Sequence, residues 1–371
     1  MYAVSETWAR ANESFLAPEG LIEISCHIPE LEDALVYTKS DLLSFTHSQT
    51  GSLVSGELPK NHIEFSLDNS DDKWNPHNPG GMTKYLTERL KVTLRYGFLI
   101  DGVEEWIPGG VFYLSEWKTP QNGIEATFVA RDILEFLIDQ PYDATIEGTL
   151  YEIVENVLLE AGIPADGSVG GVSISDELKK YSVGDIGFDV DATMAVVVQK
   201  CANAAGCIMY QDRDGVFRIE KRAYENAKYT IPKNLSFAHP EIELFRPIKS
   251  VAVTYIDNTM SAFQFADSGE IQRVANNYIS DSTQAYSVAR WVRDALLARR
   301  KIKGEFRGDP RFDLFDLINV ESKYGTMTTI ELTSVRVTFA GACRIFYEGY
   351  ARTDSVRMVA RCGEIYAGEV V

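Results

Sequence analysis

Histidine and cysteine are scarce in this chain, with five of each in 371 residues. His27, His47, His62, His77 and His239 fall in no HxH, HxxxH or HExxH spacing, so no metal-binding motif is assigned. Cys26, Cys201, Cys207, Cys343 and Cys362 are odd in number and form no CxxC pair. That disfavours a disulfide framework and a zinc site, and points to assembly in a reducing cytosol. Long apolar runs are missing too. Stretches such as Met194–Val198 fall far short of the roughly 20 residues that a membrane span needs. The first 20 residues have neither a basic n-region nor an apolar h-region, so no classical secretion signal is expected.

Positive charge is also in deficit. The chain has 36 Lys and Arg against 54 Asp and Glu, a net charge of -18. A general nucleic-acid binder needs a positive field, so this class is disfavoured. A surface that nucleic acid slides past without sticking is compatible with it. GxxxxGK[ST], a strand followed by GxGxxG, and GxSxG are all absent; Gly167–Gly171 (GSVGG) leads into no suitable helix. With 54 acids a close carboxylate pair is expected by chance, and none is singled out for glycoside hydrolysis. No catalytic, cofactor-binding or metal-binding residue is therefore assigned, and no cofactor is expected.

Aromatic residues are plentiful, with 18 Tyr and 18 Phe, and they favour strands. Apolar and polar residues alternate from Leu21 to Ile28, and short strand-like runs follow at Asn61–Leu67, Leu90–Tyr96, Glu104–Ile107, Val111–Trp117 and Gly123–Ala130. Asp101-Gly102, Pro108-Gly109-Gly110 and Gln121-Asn122-Gly123 read as turns between them. The oxygen-rich run Asp68–Asp72 reads as a loop with Asx turns. Many short strands broken by turns suggest an antiparallel barrel or sandwich.

From Tyr142 to Lys221 the pattern changes. Thr149 and Glu152 form a T-x-x-E capping box before a helical stripe that ends at Gly162. A second helix is expected from about Asp191 to Gly206, followed by a hairpin turning at Asp212-Arg213-Asp214-Gly215. Strands return at Ser250–Tyr255, Leu317–Val320 and Leu332–Phe339. Between them lies a helix capped by Asp281 or Ser282 and expected to end in Arg299-Arg300-Lys301, where positive charge suits the helix dipole.

One stretch reverses the sign of the chain. Residues 290, 293, 299, 300, 301, 303, 307 and 311 are Lys or Arg, against acids at 294, 305 and 309. Arg290, Arg293, Arg299, Arg300, Arg307 and Arg311 read as a docking surface for an acidic neighbour, with a solvated helix face as the plainer alternative. Inside this stretch Gly308, Asp309 and Pro310 read as a rigid turn, with Pro310 fixing φ and Gly308 supplying conformational freedom. Asp309 is placed to pair with Arg307 or Arg311.

Taken in order, five stretches carry a resemblance. They are Ile63–Gly81, Gly109–Leu137, Ala192–Glu220, Glu241–Tyr255 and Asn276–Ser322. Their order and spacing resemble the tail-tip or baseplate-hub proteins of long-tailed bacteriophages. The resemblance implies a mainly β, α+β chain with two related antiparallel, tail-tube-like β-barrel domains, a small α/β insert and a further small peripheral domain. Residues 1–140 would form the first barrel and 141–225 an α/β insert. Residues 226–352 would form the second barrel, with a helix-containing insertion at about 276–316, and 353–371 an arm. It further implies a structural, non-enzymatic homotrimer in the virion tail, assembled in the host bacterial cytoplasm. Tail-tube proteins would lie above this ring and fibre, tip or receptor-binding proteins below, with a tape-measure protein as a further partner. DNA would pass the channel without specific binding. A hub of a contractile tail or injection particle is the alternative, and a carbohydrate-acting enzyme of the tail tip the second. Many relatives continue into lytic domains, for which little chain remains here.

Overall fold

The computed structural model describes residues 2–14, 18–119, 124–163, 171–187, 189, 192–222, 227, 229–297, 299–339 and 343–351. The turn expected at 121–123, the start of a helix at Asp191, most of 167–171 and the arm at 353–371 lie outside them.

The chain opens with helix α1 (Glu6–Glu13), whose Ser5 cap accepts the Trp8 amide proton. Strands β1 (Glu19–His27), β2 (Leu35–Thr38), β3 (Leu42–Thr50), β4 (Lys60–Asp68), β5 (Lys91–Ile100), β6 (Val103–Lys118) and β7 (Glu125–Arg131) follow. They pair antiparallel in the order β3-β4-β7-β6-β5-β1-β2. The alternation read from Leu21 onward is the burial alternation of β1. Asp101 and Gly102 turn the β5–β6 hairpin with φ of 51° and 82°. The expected Pro108-Gly109-Gly110 turn is instead a bulge inside one long strand. Leu94 faces Gly110 and Arg95 faces Pro108, which leaves Gly109 as the extra residue. A Cβ on Gly109 would lie 2.6 Å from Leu94 Cγ, and Gly110 has φ 136°, so glycine fits both places.

The middle of the chain holds β8 (Gly148–Thr149), α2 (Leu150–Glu160), β9 (Gly171–Ile174), β10 (Ser182–Val183), α3 (Met194–Ala204), β11 (Ile208–Gln211) and β12 (Val216–Glu220). The capping box forms as read, with Thr149 and Glu152 bonded reciprocally. The last part adds β13 (Tyr229–Ile231), β14 (Glu241–Leu244), β15 (Ile248–Tyr255), β16 (Thr259–Gln264), β17 (Glu270–Ala275), α4 (Ser282–Leu296), β18 (Arg300–Arg307), β19 (Leu317–Glu321), β20 (Met327–Phe339) and β21 (Cys343–Ala351). Asp281 caps α4 through the amides of Thr283 and Gln284. The helix stops at Leu296, so Arg300 and Lys301 begin a strand and do not close a helix.

The chain is mainly β and mainly antiparallel, and the described strands form no closed barrel. One 13-stranded sheet joins both ends of the chain. Its hinge is β20. Residues Met327–Glu331 pair with β19, and Ser334–Thr338 pair with β3. The switch falls at a register shift beside Thr333. One core lies under this sheet and mixes residues from both ends, such as Phe65, Phe112, Phe306 and Ile345. A second core gathers α2, α3, α4 and β15, so it draws on chain from both sides of residue 225.

Candidate functional site

The sequence singles out Gly308-Asp309-Pro310, and the structure places this turn in the interior. Gly308 to Phe312 are all buried, which is rare for a loop because its backbone must find partners away from water. Gly308 answers that demand by donating its amide to the Cys343 carbonyl at 3.0 Å. A Cβ on Gly308 would sit 2.4 Å from Ile345 Cγ1. Close approach to β21 thus demands glycine here, and its φ lies outside the left-handed region.

Asp309 is fully buried. Its Oδ2 lies 2.7 Å from Arg311 Nε, and its Oδ1 accepts the Trp8 indole N–H at 3.2 Å. Burial pushes the carboxyl above its usual range, while Arg311 and Trp8 pull it back. The Arg311 guanidinium in turn covers the Tyr229 ring at 4.8 Å. Tyr229 OH accepts from Asn12 Nδ2 at 3.2 Å, and Arg307 donates to the carbonyls of Asn12 and Ser14. The Arg311 carbonyl accepts the Tyr2 amide at 3.0 Å. The turn therefore clamps the N-terminal helix against the far end of the chain. On its other side Trp8 packs on Phe98 of β5 with the rings tilted by 53° and centroids 4.5 Å apart, and Ser5 and Thr7 donate to Glu105 of β6.

Two further ion pairs brace the interior, and one of them, through Asp313, lies two residues after the clamp's Arg311. Arg213, from the hairpin turn read as DRDG, reaches Asp313 Oδ1 at 3.0 Å and donates to the carbonyls of Phe312 and Pro108. Burial raises the Asp313 carboxyl to about 6 against the pull of Arg213. Arg222 forks onto Glu331, with Nε–Oε1 at 2.9 Å, and both side chains are buried. His47 is buried between Tyr96 OH at 2.9 Å and Asn61 Oδ1 at 2.8 Å. Burial lowers it to about 3, which keeps it neutral. Burial also pushes the thiols of Cys26, Cys207 and Cys343 up to about 12, far from a reactive thiolate.

The basic stretch does not gather into one patch. Arg290 and Arg293 lie on α4 and face Asp294, and Arg293 also covers the Phe265 ring. Arg299 donates to the Phe245 carbonyl. Arg300 is half-buried, which lowers its pKa. Arg307 and Arg311 belong to the clamp. Lys301 meets Glu348 at 2.5 Å and Lys303 meets Glu241 at 3.3 Å. Sequence reading missed Trp8, Arg213, Arg222, Asp313 and Glu331 as members of this centre. The available signal was Ser5 before Glu6 at the start of α1, an N-cap with an acid in the first turn. Among the described residues, no group of three or more His, Cys, Asp or Glu side chains could hold a metal ion. No helix among them is long and apolar enough to cross a membrane.

No family model and no curated protein matches the chain. Solved structures do. The tail protein from Neisseria meningitidis MC58 superposes with a TM-score of 0.60 at 11% identity, covering 90% of this chain and 97% of that one. The 43 kDa tail protein of prophage MuSo2 from Shewanella oneidensis gives 0.58 at 11%, covering 89% and 97%. The fold is that of phage tail proteins. The same tail-protein fold matches the E. coli c3393 protein at a TM-score of 0.50 and 12% identity, over 90% of this chain and 77% of that one. That protein is described as a type VI secretion component with structural similarity to the T4 tail proteins gp27 and gp5.

Proposed function

We propose that the chain is a structural hub of a phage tail tip, built as a trimeric ring between the tail tube and the central tip or fibre. The observation that carries this reading is the end-to-end match to tail proteins, nearly complete on both chains. Agreement over nearly a whole chain at 11% identity reflects a shared architecture, and the architecture here is a sheet braced by internal ion pairs. Arg311–Asp309, Arg213–Asp313 and Arg222–Glu331 all serve packing, which suits a protein whose task is to keep a shape. Two β-rich wall segments per chain would let three copies match a hexameric tube. The net charge of -18 suits a channel that repels the duplex passing through it. The likeness to a secretion-system component supports the equivalent hub of an injection particle as a second reading.

Mass photometry of the purified chain tests the proposal. A species at three times 41.5 kDa, alone or on addition of tail-tube protein, is the expected result. A chain that stays monomeric at micromolar concentration with tube protein present overturns it.

A further inference from the structure

Among the described residues the main sheet is open at both ends, and the two ends differ in charge. One edge is β2, which pairs only with β1. The other is β14, which pairs only with β18. Both edges leave apolar side chains in solvent: Val36 on β2 is 51% exposed, and Ile242 and Leu244 on β14 are 53% and 70% exposed. Ile242 stands opposite the buried Ile302, so it continues the core face of the sheet past the last strand. An unpaired, partly apolar edge is a template for another strand, and proteins normally blunt it.

Charge identifies what covers these edges. Residues 19–41, which carry β1 and β2, hold six acids (Glu19, Glu23, Glu30, Glu32, Asp33 and Asp41) and a single Lys, Lys39. The opposite edge, residues 239–246 and 299–307, holds six bases (Arg246, Arg299, Arg300, Lys301, Lys303 and Arg307) against three acids, and it stays net positive although Lys301 and Lys303 meet Glu348 and Glu241 and Arg307 turns into the clamp. The asymmetry extends to whole regions: residues 1–140 carry 22 acids and 10 bases, and residues 226–352 carry 14 acids and 17 bases. The edges stand at opposite ends of one sheet path, with nine strands between them.

We propose that the β14 edge of one copy docks on the β2 edge of a second copy of this chain, head to tail. Such a contact is heterologous: the patches are different on the two partners, and repetition closes a ring wherever the rotation divides the circle. Opposite charge steers the encounter and rejects the like-edge pairing, while Val36, Ile242 and Leu244 leave water. This deepens the ring reading above and rests on it only in requiring copies to associate.

Thiol cross-linking decides the matter. In a Cys362→Ser background the described cysteines are all buried. Single variants Val36→Cys and Ile242→Cys are mixed and treated with a short bis-maleimide. The expected product is a link in the mixture and none in either variant alone. A link within Ile242→Cys alone would show a two-fold edge contact and overturn the proposal. Oligomers seen by mass photometry with neither link would overturn the edge contact and leave the ring standing. No oligomer under any condition would overturn both. Charge gives a second arm that does not depend on cysteine chemistry. Glu32→Lys and Arg246→Glu should each weaken association at least tenfold, and the two together should restore it. Failure of that rescue, with both single variants weakened, would also count against the contact.

Discussion

The two interiors of this chain are tied by different chemistry. Beneath the large sheet, two ion pairs join segments remote in sequence, Arg213 to Asp313 and Arg222 to Glu331, and a third, local pair of Asp309 with Arg311 reaches the remote Trp8 through its indole. Around the helices, carboxamides make the ties. Asn276 Nδ2 donates to the Lys200 carbonyl at 2.8 Å and to Asn203 Oδ1 at 2.9 Å, Asn203 to the Val54 carbonyl, and Gln284 to the Ala204 carbonyl. An ion pair must be complete: removing one partner leaves a buried charge without compensation, whereas a lost amide bond leaves a neutral group. The sheet interior should therefore fail abruptly on single substitution, and the helix interior gradually.

The largest effect is expected at Asp309→Ala, which strips Arg311 and the Trp8 indole of their partner. Loss of about 3–5 kcal/mol should show in urea unfolding, together with loss of assembly. A variant within 1 kcal/mol of the parent (~1, the usual range of a surface change) would remove the contrast. Arg222→Ala should cost about 3–5 kcal/mol as well, while Arg222→Met with Glu331→Leu should recover most of it, because an apolar pair of similar volume carries no desolvation cost. If the double variant is worse than either single, the ion pair does more than satisfy itself. On the amide side, Asn276→Ala should cost about 1–3 kcal/mol in the same titration. A loss equal to that of Asp309→Ala would erase the distinction.

A separate, pH-dependent effect concerns a buried carboxyl whose hydrogen-bond donor is a neutral backbone amide. Asp132 accepts the Leu134 amide at 3.0 Å, and burial raises it to about 7. Its folded value lies above its ordinary 3.8. Its contribution is therefore complete below about pH 4 and is lost as pH rises through 7. Asp132→Asn keeps the acceptor and removes the charge, so it should match the parent at pH 4.5 and exceed it in stability at pH 8. The same stability difference at both pH values would show that Asp132 does not titrate in this window.

Much of the fold was readable from the residues. β1, β4 and β5 alternate because one face is buried, the capping box at Thr149 and Glu152 forms locally, and Gly215 turns its hairpin. Local signals failed where distant chain decides the outcome. The Pro108-Gly109-Gly110 run has the composition of a turn, yet pairing with β5 holds it extended as a bulge. Arg300 and Lys301 look like a helix end, but pairing with β14 and β21 draws them into β18. The edge strand β14 alternates as EIEL, but it is only four residues long and exposed at every position, so no burial follows from its alternation. For the clamp, Asp309 stood out in the sequence because of its neighbours. Its partner Trp8 lies 301 residues away, a separation that no spacing rule spans.

The switch of partners along β20 bears on how the chain is made. Strand β3 ends at Thr50, and the segment that covers its free side begins at Ser334, about 280 residues later. At the usual pace of synthesis that interval lasts roughly 15–60 s. Throughout it the growing chain carries an uncovered strand, and Trp8 lacks the carboxylate that later receives its indole. The nascent N-terminal region must therefore persist while unfinished, and its surplus of acids, 22 against 10 bases before residue 141, is the kind of net charge that disfavours self-association.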